Sequence, residues 1–149
     1  MIYVDKIKKI VRNIIMPRKG CPKIQEEVFI VEDDVAIDKA YEAKFAHEGI
    51  KIKIAEDGEE AIQILKKGYM PSLILLDLML PKKSGFEVLE EIKKDDCLKD
   101  IPVLLLTNLA QEIDASRGLA LGAEEYLVKA DTKIDDLVKK VRHYLKKSK

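Results

Sequence analysis

Residues 73–89 read LILLDLMLPKKSGFEVL. The run Leu73–Leu76 is continuously apolar, as a strand covered on both faces must be. Asp77 is the first polar residue after it. A short loop follows, and then Ser84 with Glu87 three positions on, the two halves of a capping box that opens a helix. A buried strand, a carboxylate at its end, a loop and a capped helix together make one repeat of a parallel α/β sheet.

The same alternation extends in both directions. Strands are expected at Val28–Val31, Lys51–Ala55, Leu73–Leu76, Val103–Leu106 and Glu125–Val128. The first, third and fourth are unbroken apolar runs, whereas KIKIA at 51–55 alternates and suits an edge. Helices are expected near 36–48, 58–67, 84–94, 110–121 and 133–147. Asp57 with Glu60 forms a second capping pair, and Gly49 and Gly68 stand where C-terminal caps belong. The last helix gathers Ile134, Leu137, Val138, Val141 and Leu145 on one face. The fold class is therefore α/β, a parallel sheet with helices on both faces.

The chain has 149 residues, of which 47% are hydrophobic and 36% charged. That composition supports one folded domain and leaves no room for a second, so no fused output module is expected. No apolar run approaches the roughly 20 residues of a membrane span, and lysines interrupt the start where a signal peptide needs an apolar core. The cytoplasm is the expected compartment. The two cysteines, Cys21 and Cys97, lack CxxC spacing or a histidine pair, and free thiols are expected of them.

Net charge is zero but unevenly spread. Residues 1–23 carry seven basic residues against Asp5 alone, a net +6, so the balance of the chain carries −6. Pro17, Gly20 and Pro22 punctuate the change, which divides a basic extension, 1–23, from a domain at 24–149.

An open α/β sheet binds its ligand beyond the carboxyl ends of its strands. At those ends stand Glu32, Asp33 and Asp34 after the first strand, Asp77 after the third, Thr107 at the fourth and Lys129 at the fifth. Carboxylates crowded at one edge repel each other, and a hard divalent cation such as Mg²⁺, which uses one or two carboxylates and keeps several waters, is the natural compensator. A lysine and a hydroxyl opposite would suit a phosphoryl group.

In VFIVEDD (28–34), LILLDLMLPKKSGFEVL (73–89), VLLLTN (103–108) and GAEEYLVKA (122–130) the chain resembles the response-regulator receiver domains of two-component signalling. The resemblance covers roughly residues 26–147, with gaps of 44, 30 and 22 residues from Asp33 to Asp77, to Thr107 and to Lys129. It implies a flavodoxin-like, doubly wound five-stranded sheet in the order 2-1-3-4-5 with five helices. It also implies that Asp77 is the phosphoacceptor, that Glu32, Asp33 and Asp77 hold Mg²⁺ together with the backbone carbonyl of Met79, and that Thr107 and Lys129 bind the phosphoryl group. Tyr126 resembles the switch aromatic that follows the threonine; the plainer alternative is a half-buried tyrosine with a wet hydroxyl. The implied partners are a histidine kinase or histidine phosphotransfer protein and a downstream protein that reads the face of the fourth helix, fifth strand and fifth helix. Such a receiver transfers the phosphoryl group to itself once per cycle, so no turnover enzyme is expected.

Other residues read as structural. Asp34 suits a helix cap, His47 and His143 suit the surface, and Gly85 and Gly122 suit turns or tight packing. Three positions depart from the family pattern. Ala130 follows Lys129 where receivers usually carry a cis-proline; a cis bond before a non-proline residue costs roughly 2.5–4 kcal/mol, so either a trans bond with a rearranged loop or a strained cis bond is expected. Asn108 replaces a small residue. Met79 and Leu109 are apolar two positions beyond Asp77 and Thr107, and should shield an acyl phosphate from water and prolong its life.

In the extension, Val4, Ile7, Val11 and Ile14, joined by Ile10 and Ile15, make an apolar stripe at helical spacing with lysines opposite. Three fates are open to this amphipathic segment: docking on the receiver or on a second copy as a homodimer, contact with an anionic membrane through residues 2–16, or an arm for a partner protein. Direct nucleic-acid binding is not expected of an acidic domain. The alternatives to a phosphorylated switch are a degenerate, phosphorylation-independent binding module and a flavodoxin-like enzyme, but EDDVAID stands where the latter needs a glycine-rich phosphate loop.

Overall fold

The computed structural model describes residues 5–7 and 20–147. Among them, five parallel strands form one sheet in the order β2-β1-β3-β4-β5. The elements run β1 (Gln25–Val31), α1 (Val35–His47), β2 (Ile52–Ala55), α2 (Gly58–Lys66), β3 (Pro71–Leu76), α3 (Gly85–Lys94), β4 (Val103–Thr107), α4 (Glu112–Ala120), β5 (Glu125–Val128) and α5 (Ile134–Lys147). Asp5–Ile7 are helical; the rest of the expected apolar stripe lies outside the described residues.

The unbroken apolar strands are explained by two cores. Phe29, Val31, Ile74, Leu76, Val103 and Leu105 face α2 and α3, and Leu105 lies against Gly118 of α4. The alternate residues Val28, Ile30, Leu73, Leu75, Leu104 and Leu106 face Tyr41 and Phe45 of α1 and the Leu137, Val138, Val141 and Leu145 stripe of α5. Because successive strand side chains point to opposite faces, both parities must be apolar. β2 is an edge, with Lys53 outward.

The caps form as the sequence indicates. Ser84 and Glu87 make both halves of their box, and the Asp34 side chain accepts from the N–H groups of Ala36 and Ile37, which settles it as a cap. The Glu60 carboxylate accepts from the N–H of Glu56, one residue before the Asp57 cap. His47 and His143 are exposed.

Three expectations are corrected or refined. β1 begins at Gln25 rather than Val28: the Gln25 N–H donates to the Met70 carbonyl at 2.7 Å, and the Ser72 hydroxyl donates to the Gln25 carbonyl at 2.7 Å. Main-chain pairing continues there beneath polar side chains, so hydrophobic pattern could not mark it. The Lys129–Ala130 bond is trans, since the described chain has no cis peptide. The loop adapts as a 3-10 turn over Lys129–Asp131. Cys21 and Cys97 are not free thiols but joined in a disulfide with their Cα atoms 5.5 Å apart. The bond ties the residues before β1 to the α3–β4 loop, two points brought together by the sheet at its amino-terminal end and invisible to one another in sequence.

Candidate functional site

Strand register assembles the site. Val31 lies opposite Leu76, Leu76 opposite Leu105, and Thr107 opposite Val128. Glu32, Asp77 and Lys129 each follow the last paired residue of their strand, so they meet at the carboxyl edge. The Asp77 N–H donates to the Val31 carbonyl and the Glu32 N–H to the Ala55 carbonyl, both at 3.0 Å, which fixes where these two side chains start.

One carboxylate oxygen from each of Glu32, Asp33 and Asp77 lies within 4.8 Å of the others. Glu32 and Asp77 are buried and Asp33 is exposed. The Lys129 amine donates to Asp77 Oδ2 at 2.7 Å and to Glu32 Oε2. Asp77 Oδ1 accepts from the Met79 N–H at 3.1 Å. Burial lifts the Glu32 carboxyl above its ordinary range; the Lys129 bond opposes this and the Asp77 charge adds to it. For Lys129 burial alone would lower the amine, but the bonds to Asp77 and Glu32 outweigh it and hold the group above the usual lysine range. The site is thus over-supplied with negative charge, which suits a hard divalent cation reached from the Asp33 side.

The loop after Asp77 needs glycine at its far end. A Cβ on Gly85 would fall 2.2 Å from the Asp77 carbonyl oxygen, so α3 starts directly against the end of β3. Met79 is 57% exposed at the rim, while Leu109 packs half-buried against the core.

Thr107 is buried at the end of β4. Its Oγ1 accepts from the Leu109 N–H at 3.4 Å, and the Leu109 carbonyl accepts from the Tyr126 hydroxyl. The Tyr126 hydroxyl therefore has a protein partner, and one residue, Leu109, joins it to Thr107.

Sequence reasoning missed Asp38. It is buried on α1, its Oδ1 has no hydrogen-bond partner among the described residues, and burial, with the charges of Glu32, Glu56, Glu42 and Asp34, lifts its pKa to about 6. The spacing Asp38, Tyr41, Phe45 marked the buried face of the helix and could have exposed it. A carboxyl whose folded pKa lies above its ordinary 3.8 holds its proton more tightly in the folded state, so it withdraws stability as pH rises from about 4 to about 6. Asp38→Asn is expected to raise stability by about 2 kcal/mol at pH 7.5 in EDTA and not at pH 4. Urea unfolding at the two pH values checks this; an equal gain at both would mean that charge is not the cause.

The matching family model is described as response regulator receiver domain and spans residues 28–142. A probable transcriptional regulator ycf27 of Guillardia theta is 40% identical over 105 residues, covering 70% of this chain and 40% of that protein. The chain spans 40–50% of the length of such curated relatives. Among solved structures, the receiver domain of the Francisella response regulator 1452 superposes with a TM-score of 0.75 at 29% identity, covering 84% of this chain and 100% of that one. The Mn²⁺-bound form of response regulator Rcp1 superposes with a TM-score of 0.68 at 35% identity, covering 82% and 91%.

Proposed function

This chain belongs to the response regulator receiver family, and from that premise we propose that it is a switch phosphorylated on Asp77 by a histidine kinase or histidine phosphotransfer protein. The observation that carries the reading is the Asp77 carboxylate held between the Lys129 amine and the Met79 N–H, beside Glu32 and Asp33. In the reaction an Asp77 oxygen attacks the phosphorus, the bond to the donor imidazole nitrogen breaks, and an acyl phosphate forms. Carboxylates of Glu32, Asp33 and Asp77 and the Met79 carbonyl would hold Mg²⁺, which neutralises charge on the phosphoryl oxygens when bound. Lys129 offers a fixed cation to the same oxygens. The Thr107 hydroxyl would bond the new phosphate, and its bond to the Leu109 N–H, with that of the Tyr126 hydroxyl to the Leu109 carbonyl, supports Leu109 as the link between them.

The output is a population shift of the α4–β5–α5 face. Ile113 is 73% exposed on α4 and gives that face an apolar contact for a downstream protein. The protein acts in the cytoplasm and stoichiometrically, one phosphoryl group per cycle.

Intact-protein mass spectrometry after incubation with acetyl phosphate tests the reading. One phosphoryl adduct is expected, dependent on Mg²⁺ and absent in Asp77→Asn. No adduct, together with no binding of beryllofluoride, would overturn it in favour of a phosphorylation-independent binding module.

The apolar rim makes a second expectation. Leu109→Glu or Met79→Asn gives water a polar partner near the acyl phosphate and should hasten phosphate release roughly tenfold. The decay of the adduct after donor removal is the readout, and unchanged decay in both variants would refute shielding.

A further inference from the structure

The Cys21–Cys97 disulfide lies at the end of the sheet away from Asp77, and each of its anchors is built without the sulfur atoms. On the Cys97 side, Asp95 Oδ1 accepts from the N–H groups of Cys97 at 2.8 Å and Leu98 at 3.0 Å. The Lys99 N–H donates to the Asp95 carbonyl at 2.9 Å, the Lys93 amine donates to the carbonyls of Lys99 and Ile101, and Leu98 is buried. The α3–β4 loop is thereby fixed with Cys97 presented on it. On the Cys21 side, Gln25 is held through Met70 and Ser72, four residues downstream. Between the anchors, Pro22, Lys23 and Ile24 are exposed, and both cysteines are only half-buried. The one covalent tie among the described residues of this stretch therefore sits beside exposed residues, and the α3–β4 loop and Gln25 are each held by bonds of their own.

From this we infer that Cys21–Cys97 is a reversible thiol–disulfide site whose redox state sets whether the chain entering β1 is fastened to the α3–β4 loop. The co-reactant is a dithiol, either small or carried by a thiol–disulfide oxidoreductase. Its thiolate attacks one sulfur, the Cys21–Cys97 bond breaks, and a mixed disulfide forms with one protein thiolate released. The second thiol of the reagent then displaces the remaining protein sulfur. Two electrons and two protons pass to the protein as two thiols, and the reagent leaves as a disulfide. What the switch controls is set by connectivity. Residues 1–20, with their excess of lysine and arginine, precede Cys21 in the chain, so the bond sets whether their point of entry at Cys21 is fastened to the loop that carries Asp95, Asp96 and Asp100.

The experiment uses the full chain, without denaturant, in buffers of oxidised and reduced dithiothreitol. Thiols are trapped with N-ethylmaleimide and counted by intact mass, while far-ultraviolet circular dichroism follows the fold and trypsin probes the bonds after Lys19 and Lys23. The expected result is no adduct in oxidising buffer and two in reducing buffer, an unchanged spectrum, and cleavage at these two bonds roughly tenfold faster after reduction. Cys97→Ser in oxidising buffer should be cleaved at the fast rate; if that variant fails to fold, reduction of the unaltered chain still decides. Two thiols in oxidising buffer, a bond that resists reduction until the chain is unfolded, loss of the spectrum on reduction, or unchanged cleavage would each overturn the inference. Acetyl phosphate uptake is a separate readout and should be equal in both redox states.

Discussion

Lys129→Met is expected to slow phosphoryl uptake from acetyl phosphate by on the order of a hundredfold to a thousandfold, the usual cost of removing one fixed donor from developing negative charge. The Lys129 amine is the fixed cation on Asp77, 2.7 Å from Oδ2, and it also bonds Glu32. Its side chain is 12% exposed and those of Asp77 and Glu32 less, so the charges are poorly screened by water. Methionine roughly keeps the volume and removes the charge together with the N–H donors to Asp77 and Glu32. The time course of the mass adduct reads the rate, and an unchanged rate would leave Lys129 with a structural role alone.

The same substitution should also cost about 3 kcal/mol of stability at neutral pH, because it leaves two buried carboxylates facing each other. The sign with pH follows. Glu32 already holds its proton above the ordinary range, and losing the lysine raises it further. The penalty of the variant is therefore largest when both carboxyls are ionised and shrinks as pH falls through the Glu32 titration. Mg²⁺ should recover more stability in the variant than in the unaltered protein, since the amine no longer competes for the same oxygens. Urea unfolding with Mg²⁺ and with EDTA measures both effects; equal stabilisation by Mg²⁺ in the two proteins would refute the competition.

The parts of the molecule readable from sequence are those where one physical demand dominates. Burial on both faces leaves no polar residue in LILL or VLLL, so the central strands announced themselves. Parallel strands that end in register then place Glu32, Asp77, Thr107 and Lys129 at one edge, and their order along the chain is enough to find them. Gln25 extends β1 through a main-chain bond to Met70, past an irregularity in register before Val28, and no side chain records it. Asp38 escaped notice because its charge suggested solvent, although the buried Tyr41 and Phe45 fix it on the inner face of α1. The link from Thr107 to Tyr126 runs through the backbone of Leu109, whose N–H and carbonyl have no sequence signature. Ala130 removed the reason for a cis bond, and the 3-10 turn that replaces it leaves the Lys129 amine on Asp77.

The disulfide is the sharpest case, because cysteine spacing predicts a partner only when the partners are close in sequence, and these are 76 residues apart. That separation determines its effect on stability. The bond closes a loop containing β1, α1, β2, α2, β3 and α3, more than half of the described chain. Constraining so long a loop removes much of the freedom of the unfolded chain, and reduction, or Cys97→Ser, is expected to lower stability by about 3 kcal/mol. For a chain of this size the melting temperature should fall by roughly 6–12 °C. The unfolded chain also expands when the loop is opened, so the denaturant dependence should steepen as the midpoint falls. Reductant should shift the unaltered protein and leave Cys97→Ser where it is. A common midpoint for both proteins in both buffers would refute the constraint. Because the loss acts on the unfolded chain, the folded site at the far end of the sheet should take up a phosphoryl group at the same rate in either redox state.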